Sequence, residues 1–204
     1  MTSIFTADKI KTLRKLLEEA KLIVITSHRS PDGDSIGCSL GLYHFLKKQG
    51  FPVVVCHPDI APGFLQWMPG IKDINLLESE PEIVKPLIAD ADLIFCLDYH
   101  HPNRTGKMEE LLVESKAAKV IIDHHRDPNK DFATLLFSDI TSSSTSQLIY
   151  DLIESLEKTD LIDELSGTCI YTGIVTDTGS FRFSCTSART HHIAGEIQKK
   201  GIHT

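Results

Sequence analysis

"LIVITSHRSPDGDSIG", Leu22 to Gly37, joins a short continuous apolar run to a turn and then to residues at helical spacing. A run of this length without a polar face reads as a strand buried on both sides, as in a parallel sheet. The turn that follows carries His28, Asp32 and Asp34, with Pro31 before the first acid and Gly33 between the two. Strand, capped turn and helix together open an α/β fold. Taken alone, the turn reads as a helix N-cap. Its carboxylates gain another meaning only from what lies beside them.

The same alternation continues outward in both directions. Residues 8–20 have apolar positions at helical spacing, and 35–50 read as a helix stopped by Gly50. Further strands are read at 52–57, 92–98, 119–125 and 133–139. The segment "EELLVESKA" is helical, and 144–158 is a capped helix. The segment between the second and third strands has no clear pattern, nor does the part from about Leu161. The fold expected is α/β, a parallel sheet of order 2-1-3-4-5 flanked by helices on both faces. The second strand lies at the edge, because it ends in His57 and little else. Residues 1–204 form a single domain on this reading.

Composition limits the function classes. Hydrophobic residues make up 41% of the chain and charged residues 24%, values of an ordinary globular domain. The net charge of −7 argues against broad nucleic-acid affinity and leaves room for a small basic cleft. No apolar run suits a membrane span, and the N-terminus lacks the apolar core of a signal peptide. The 5 cysteines include no C-x-x-C pair, which speaks against a zinc ribbon or a redox dithiol. These features point to a reducing cytoplasm. Membrane partners are not expected, and a homodimer is permitted.

Ligands of open α/β sheets bind beyond the carboxyl ends of the strands, near the switch point in strand order. The polar residues that follow the strands therefore converge. They are His28, Asp32 and Asp34, then Asp98, then Asp123 and His124. Several ionised carboxylates in one small space repel one another, and divalent cations are the natural compensation. Mixed oxygen and imidazole donors suit manganese, iron, cobalt or zinc better than magnesium alone. Two such ions about 3.5–4 Å apart activate water for attack on phosphorus. Asp177, in the Thr/Gly-rich stretch "TDTGS", offers a further ligand. Arg104 and His125 offer positive or proton-donating groups for a phosphate, with Arg182 and Arg189 downstream. The match of "DTGS" to aspartic proteases fails on fold class. His44, His57, His101, His191, His192 and His203 read as surface or packing residues.

Four motifs in order, "HRSPDGDSIG", "CLDYHHPNRTG", "IIDHHRDP" and "YTGIVTDTGSFRF", resemble the DHH phosphoesterase superfamily. The resemblance covers nearly the whole chain and is nearest to the bacterial NrnA-like oligoribonuclease/pAp-phosphatase branch. It implies two Mn²⁺ ions, with Mg²⁺ or Co²⁺ as substitutes. His28 and Asp32 would hold one ion, and Asp34, His124 and Asp177 the other, with Asp98 bridging. Asp123 would orient His124, and His125 would face the scissile phosphate. Arg104 matches a basic position after the second motif. Ser143, Ser144 and Thr145 would cap a helix. The branch also has a C-terminal substrate-binding domain with a "GGGH" signature that these residues lack, so the chain reads as its DHH domain.

The expected activity is hydrolysis of short single-stranded oligoribonucleotides or of 3′,5′-bisphosphonucleosides such as pAp. Alternatives are a cyclic- or linear-dinucleotide phosphodiesterase, and a pyrophosphatase or exopolyphosphatase. A non-catalytic nucleotide-binding module is the alternative from another class.

Overall fold

The run Ile23–Thr26 is β1, fully buried at the centre of a parallel sheet in this computed structural model, which describes residues 4–203. The other strands are β2 (Val53–His57), β3 (Ile74–Leu76), β4 (Leu93–Leu97), β5 (Ala118–Asp123) and β6 (Leu135–Ser138). Their order is β3-β2-β1-β4-β5-β6. The helices are α1 (Ala7–Glu19), α2 (Gly33–Lys48), α3 (Pro81–Asp90), α4 (Glu109–Glu114), α5 (Thr145–Ser155), α6 (Glu164–Asp177) and α7 (Ala188–Gln198). No described helix is long and apolar enough to cross a membrane.

The strands are apolar throughout because both of their faces are covered. On β4, Leu93, Phe95 and Leu97 enter the core shared with α1, α2, α5, α6 and α7. Ile94 and Cys96 point the other way, into a second core with α3 and α4. The chain runs from β1 to β2 and β3 on one side, and from β4 to β5 and β6 on the other. The switch point thus lies between β1 and β4. Two buried hydroxyls tie these strands at that end. Thr26 Oγ1 donates to the Phe95 carbonyl at 3.1 Å, and Ser27 Oγ donates to the Leu97 carbonyl at 2.8 Å.

The five strands read from sequence keep the order 2-1-3-4-5. The edge differs, because β3 pairs outside β2. Three residues with Asn75 in the middle carry no periodic signal. His57 is buried rather than marginal, with Nε2 3.0 Å from Ser39 Oγ. Burial, helped by the charge of His28, lowers its pKa to about 3, so it packs as a neutral ring.

The patternless C-terminal third is largely α6 and α7. Helix α6 is packed against α2, α5 and α7, and a helix contacted on several sides shows no single apolar face. Gly33, Gly37 and Gly41, spaced by four, form the surface of α2 that α6 approaches. A Cβ on Gly37 would lie 2.7 Å from the Cys169 carbonyl oxygen and 2.8 Å from the Gly173 nitrogen. This contact returns the end of α6 to the start of α2, and so brings Asp177 to Asp34.

Candidate metal centre

Each acid and imidazole is aimed by a local device. Asp32 is the N-cap of α2, its Oδ1 accepting from the amides of Asp34 at 3.1 Å and Ser35 at 2.9 Å. Ser35 Oγ accepts from the Asp32 amide in return, at 3.2 Å, so the helix starts at Gly33 and not at Ser35. Asp98 follows β4 with φ 62°, a left-handed conformation that Asp tolerates better than most residues. Its amide donates to the Ile122 carbonyl at 3.1 Å, which locks it against β5. Asp177 is the last residue of α6 rather than part of a turn after an apolar run.

The N-terminus of α5 holds Asp34. Its Oδ2 accepts from the Thr145 amide at 2.6 Å, and its Oδ1 from the Ser146 amide at 2.9 Å. Thr145 Oγ1 also donates to Asp98 Oδ1 at 2.9 Å. Ser144 is the cap, as expected, accepting from the Gln147 amide at 3.0 Å. Thr145 thus does more than cap, because it braces two carboxylates at once. Thr145→Val is expected to keep the fold and lower Mn²⁺ affinity about tenfold, the usual scale for removing an outer hydrogen bond. Isothermal titration of the two proteins checks this, and an unchanged affinity would contradict it.

Two imidazoles present bare Nε2 atoms. His28 Nδ1 lies 2.8 Å from the Arg29 carbonyl and must donate to it, which leaves the Nε2 lone pair free. That Nε2 is 3.4 Å from Asp98 Oδ2 and 3.8 Å from Asp32 Oδ1. His124 Nδ1 lies 3.4 Å from the Ser142 carbonyl. Its Nε2 is 3.3 Å from Asp177 Oδ2, 3.6 Å from Asp98 Oδ1 and 4.0 Å from Asp34 Oδ2. Two sets of donors therefore form, His28/Asp32/Asp98 and Asp34/His124/Asp177. In each set one ligand atom per residue lies within 4.8 Å of the others. All six residues named from sequence as ligands converge.

Asp123 behaves differently from expectation. Its Oδ1 is 2.7 Å from His125 Nδ1, and its Oδ2 accepts from the His125 amide at 3.1 Å. It therefore orients His125, and the Ser142 carbonyl orients His124. Both histidines lie just past β5, which ends at Asp123, two residues short of the expected strand. The Arg104 side chain is exposed and makes no hydrogen bond or ion pair among the described residues, while its carbonyl accepts from the Arg29 amide at 2.9 Å. Arg189 is committed elsewhere, to Asp151 at 2.6 Å and to Glu154. The Arg182 side chain donates to the Gly179 carbonyl at 2.8 Å. His100, not singled out from sequence, groups with Asp123 and His125. Its position two residues after Asp98 was the available signal.

The electrostatics call for cations. Burial, then the charges of Asp98 and Asp177, push the Asp34 carboxyl well above the usual carboxylate range, against the hydrogen bonds from Ser146. Burial, then Asp98 and Asp32, push Asp177 up to about 7. Burial also works upward on Asp98, but the hydrogen bond and charge of His28, with His124 and His125, outweigh it and hold it low. Burial works downward on His28, and Asp98 outweighs it and raises that ring. The Asp123 hydrogen bond raises His125. The donor set fits divalent cations, since imidazole Nε2 and carboxylate oxygens converge and the raised acids ionise readily beside positive charge.

This has a signed consequence. Asp177, raised to about 7, gives up a proton to an entering cation over this range, so affinity for Mn²⁺ should rise from pH 6 to pH 8. The rise is up to about tenfold per pH unit for each proton released. Calorimetry in buffers of different ionisation enthalpy should record more proton release at pH 6 than at pH 8. Affinity independent of pH would contradict it.

Comparisons with known proteins identify the family. The family model described as "DHH family, N-terminal domain" matches residues 22–174. The bifunctional oligoribonuclease and PAP phosphatase NrnA of Thermus thermophilus is 34% identical over 197 residues, covering 96% of this chain and 55% of the relative. The cyclic-di-AMP phosphodiesterase GdpP of Geobacillus thermodenitrificans is 31% identical over 199 residues, covering 94% of this chain and 30% of the relative. The chain thus spans 30% to 55% of the length of these two curated relatives. An exopolyphosphatase-related protein from Bacteroides fragilis superposes with a TM-score of 0.94 at 42% identity, over 97% of this chain and 58% of its own.

Proposed function

The chain belongs to the DHH family, and from that premise we propose that it is a metal-dependent phosphohydrolase of short oligoribonucleotides and 3′,5′-bisphosphonucleosides. One observation carries the reading. The two oxygens of buried Asp98 face two different imidazoles, Oδ2 toward His28 and Oδ1 toward His124, as a carboxylate bridging two cations requires. The similarity to NrnA supports the substrate class.

His28, Asp32 and Asp98 would hold one cation, and Asp98, Asp34, His124 and Asp177 the other. Manganese is the first choice for these mixed donors, with Mg²⁺ or Co²⁺ as substitutes. Two such cations supply Lewis acidity toward phosphoryl oxygens and a lowered pKa of water. The protein's own residues do the rest. Asp123 fixes the His125 ring through Nδ1, leaving Nε2 to meet the phosphate oxygens or the leaving group. Thr145 and Ser146 keep Asp34 in place so that ligand geometry survives turnover. Arg104 stands exposed on the 3-10 helix Pro102–Met108 after β4, and its charge acts on His100, beside His125.

The similarity to cyclic-di-AMP phosphodiesterases supports a second reading, cleavage of cyclic or linear dinucleotides. The deciding experiment offers pAp, a di- to pentaribonucleotide ladder, cyclic-di-AMP and pyrophosphate to the chain with Mn²⁺ and with Mg²⁺. Phosphate from pAp and mononucleotides from the ladder are expected with Mn²⁺. Cleavage of cyclic-di-AMP alone moves the assignment to the second reading. Cleavage of pyrophosphate alone overturns both.

A further inference from the structure

The metal-ligating cluster occupies the side of the switch point covered by α2, α5 and α6. On the side covered by α3 and α4, a cavity of about 850 Å³ opens at the same end of the sheet. It is bounded by the segments that follow β1, β2, β3 and β4, at Arg29, Pro58, Leu77 and Lys107. The volume falls in the range of small-molecule sites, roughly 300–1,000 Å³.

Arg29 lines the cavity, and its placement is built into the backbone. It directly follows His28, and its amide donates to the Arg104 carbonyl at 2.9 Å. Its side-chain stem lies over Gly106, where a Cβ would come within 3.3 Å of Arg29 Cδ. Gly106 has φ 59° and ψ −123°, a conformation that suits glycine. Ser30 is held at φ 52°, with its amide donating to Asp59 Oδ2 at 2.7 Å. The loop that carries the metal-facing His28 thus also contributes Arg29 to the wall of the cavity.

The lining selects a chemical class. Arg29, Lys85 and Lys107 make no ion pair among the described residues, so their charge is available to an anion. Leu77, Pro81 and Leu111 supply apolar surface. Glu78, Glu110 and Glu114 line the cavity too, and with Asp59 the carboxylates outnumber the cations by one. A polyphosphate chain, with more charge and no apolar part, would meet stronger repulsion there than a monophosphate ester does. A nucleoside carrying one phosphate meets a cation for the phosphate, apolar surface for the base, and acceptors for ribose hydroxyls and exocyclic amines.

We propose that this cavity is a nucleotide subsite, holding the nucleoside monophosphate unit adjacent to the scissile bond. The proposal deepens the phosphohydrolase reading and rests on it. It makes this half of the site selective for nucleotide esters over inorganic polyphosphates.

The test uses AMP and inorganic pyrophosphate as probes on the full chain loaded with Mn²⁺. Lys85→Glu and Lys107→Glu change exposed residues, so folding should survive. Each should weaken AMP binding about tenfold by calorimetry and leave pyrophosphate binding and Mn²⁺ content as in the wild type. Each should raise KM for a diribonucleotide far more than it lowers kcat, and AMP should inhibit competitively. Unchanged AMP affinity in both variants overturns the proposal. So does loss of Mn²⁺ together with AMP, or non-competitive inhibition, which marks a regulatory site. A wild-type chain that hydrolyses no nucleotide ester, yet binds AMP in a Lys107-dependent way, sinks the hydrolase reading and leaves the cavity a nucleotide-binding site with no scissile bond beside it.

Discussion

Asp98→Asn is expected to retain at most one Mn²⁺ per chain and to lose at least about 10³-fold in hydrolysis, or about 4 kcal/mol of transition-state stabilisation. The reason is geometric. Asp98 is buried, and its oxygens serve both donor sets. Asparagine keeps the shape, accepts the left-handed backbone at φ 62°, and can still receive the Thr145 hydroxyl. The negative charge is lost and one of the two oxygens becomes an amide NH₂, so two cations would be left without their shared anion. Metal content after gel filtration and initial rates check both parts. Full occupancy with activity within tenfold of wild type would contradict the bridging role.

The second large effect concerns the helix contact that assembles the site. Gly37→Val is expected to destabilise the protein by about 3 kcal/mol or more, a cost typical of severe overpacking. The new Cβ would meet the backbone of α6 at Cys169 and Gly173, which cannot rotate away as a side chain can. As α6 moves off α2, Asp177 should leave Asp34 and His124, so Mn²⁺ affinity should fall with stability. Gly195→Ala is the control, because a Cβ there meets nothing within 4 Å. It should be neutral or stabilising by about 0.5–1 kcal/mol. Denaturant unfolding with and without Mn²⁺ measures both, and a neutral Gly37→Val would contradict the role assigned to the glycine surface.

Much of this was legible in the sequence because the strands are buried on both faces and short. Each apolar run ends at an abrupt polar residue, and the ends of β1, β4 and β5 deliver His28, Asp98, His124 and His125. Other features lacked a linear signal. β3 is too short to show alternation. Helix α6 packs against α2, α5 and α7, so its one-sided pattern is erased, and its glycine surface partner on α2 reads as ordinary small residues. Asp123 was assigned to the wrong histidine because adjacent residues at a strand end point in different directions, and only the backbone turn decides which ring returns to the carboxylate. Thr145 and Ser146 hold Asp34 through amides at a helix start, and any residue but proline supplies one. Arg189 looked available until Asp151 and Glu154 were seen beside it.

The measurement that bears most directly on the two-cation account is anomalous diffraction from crystals grown with Mn²⁺. Two peaks are predicted, roughly 3.5–4 Å apart, with Asp98 between them. One should be bounded by His28 and Asp32, and the other by Asp34, His124 and Asp177. A single peak remote from Asp98, or no peak at saturating Mn²⁺, would contradict it.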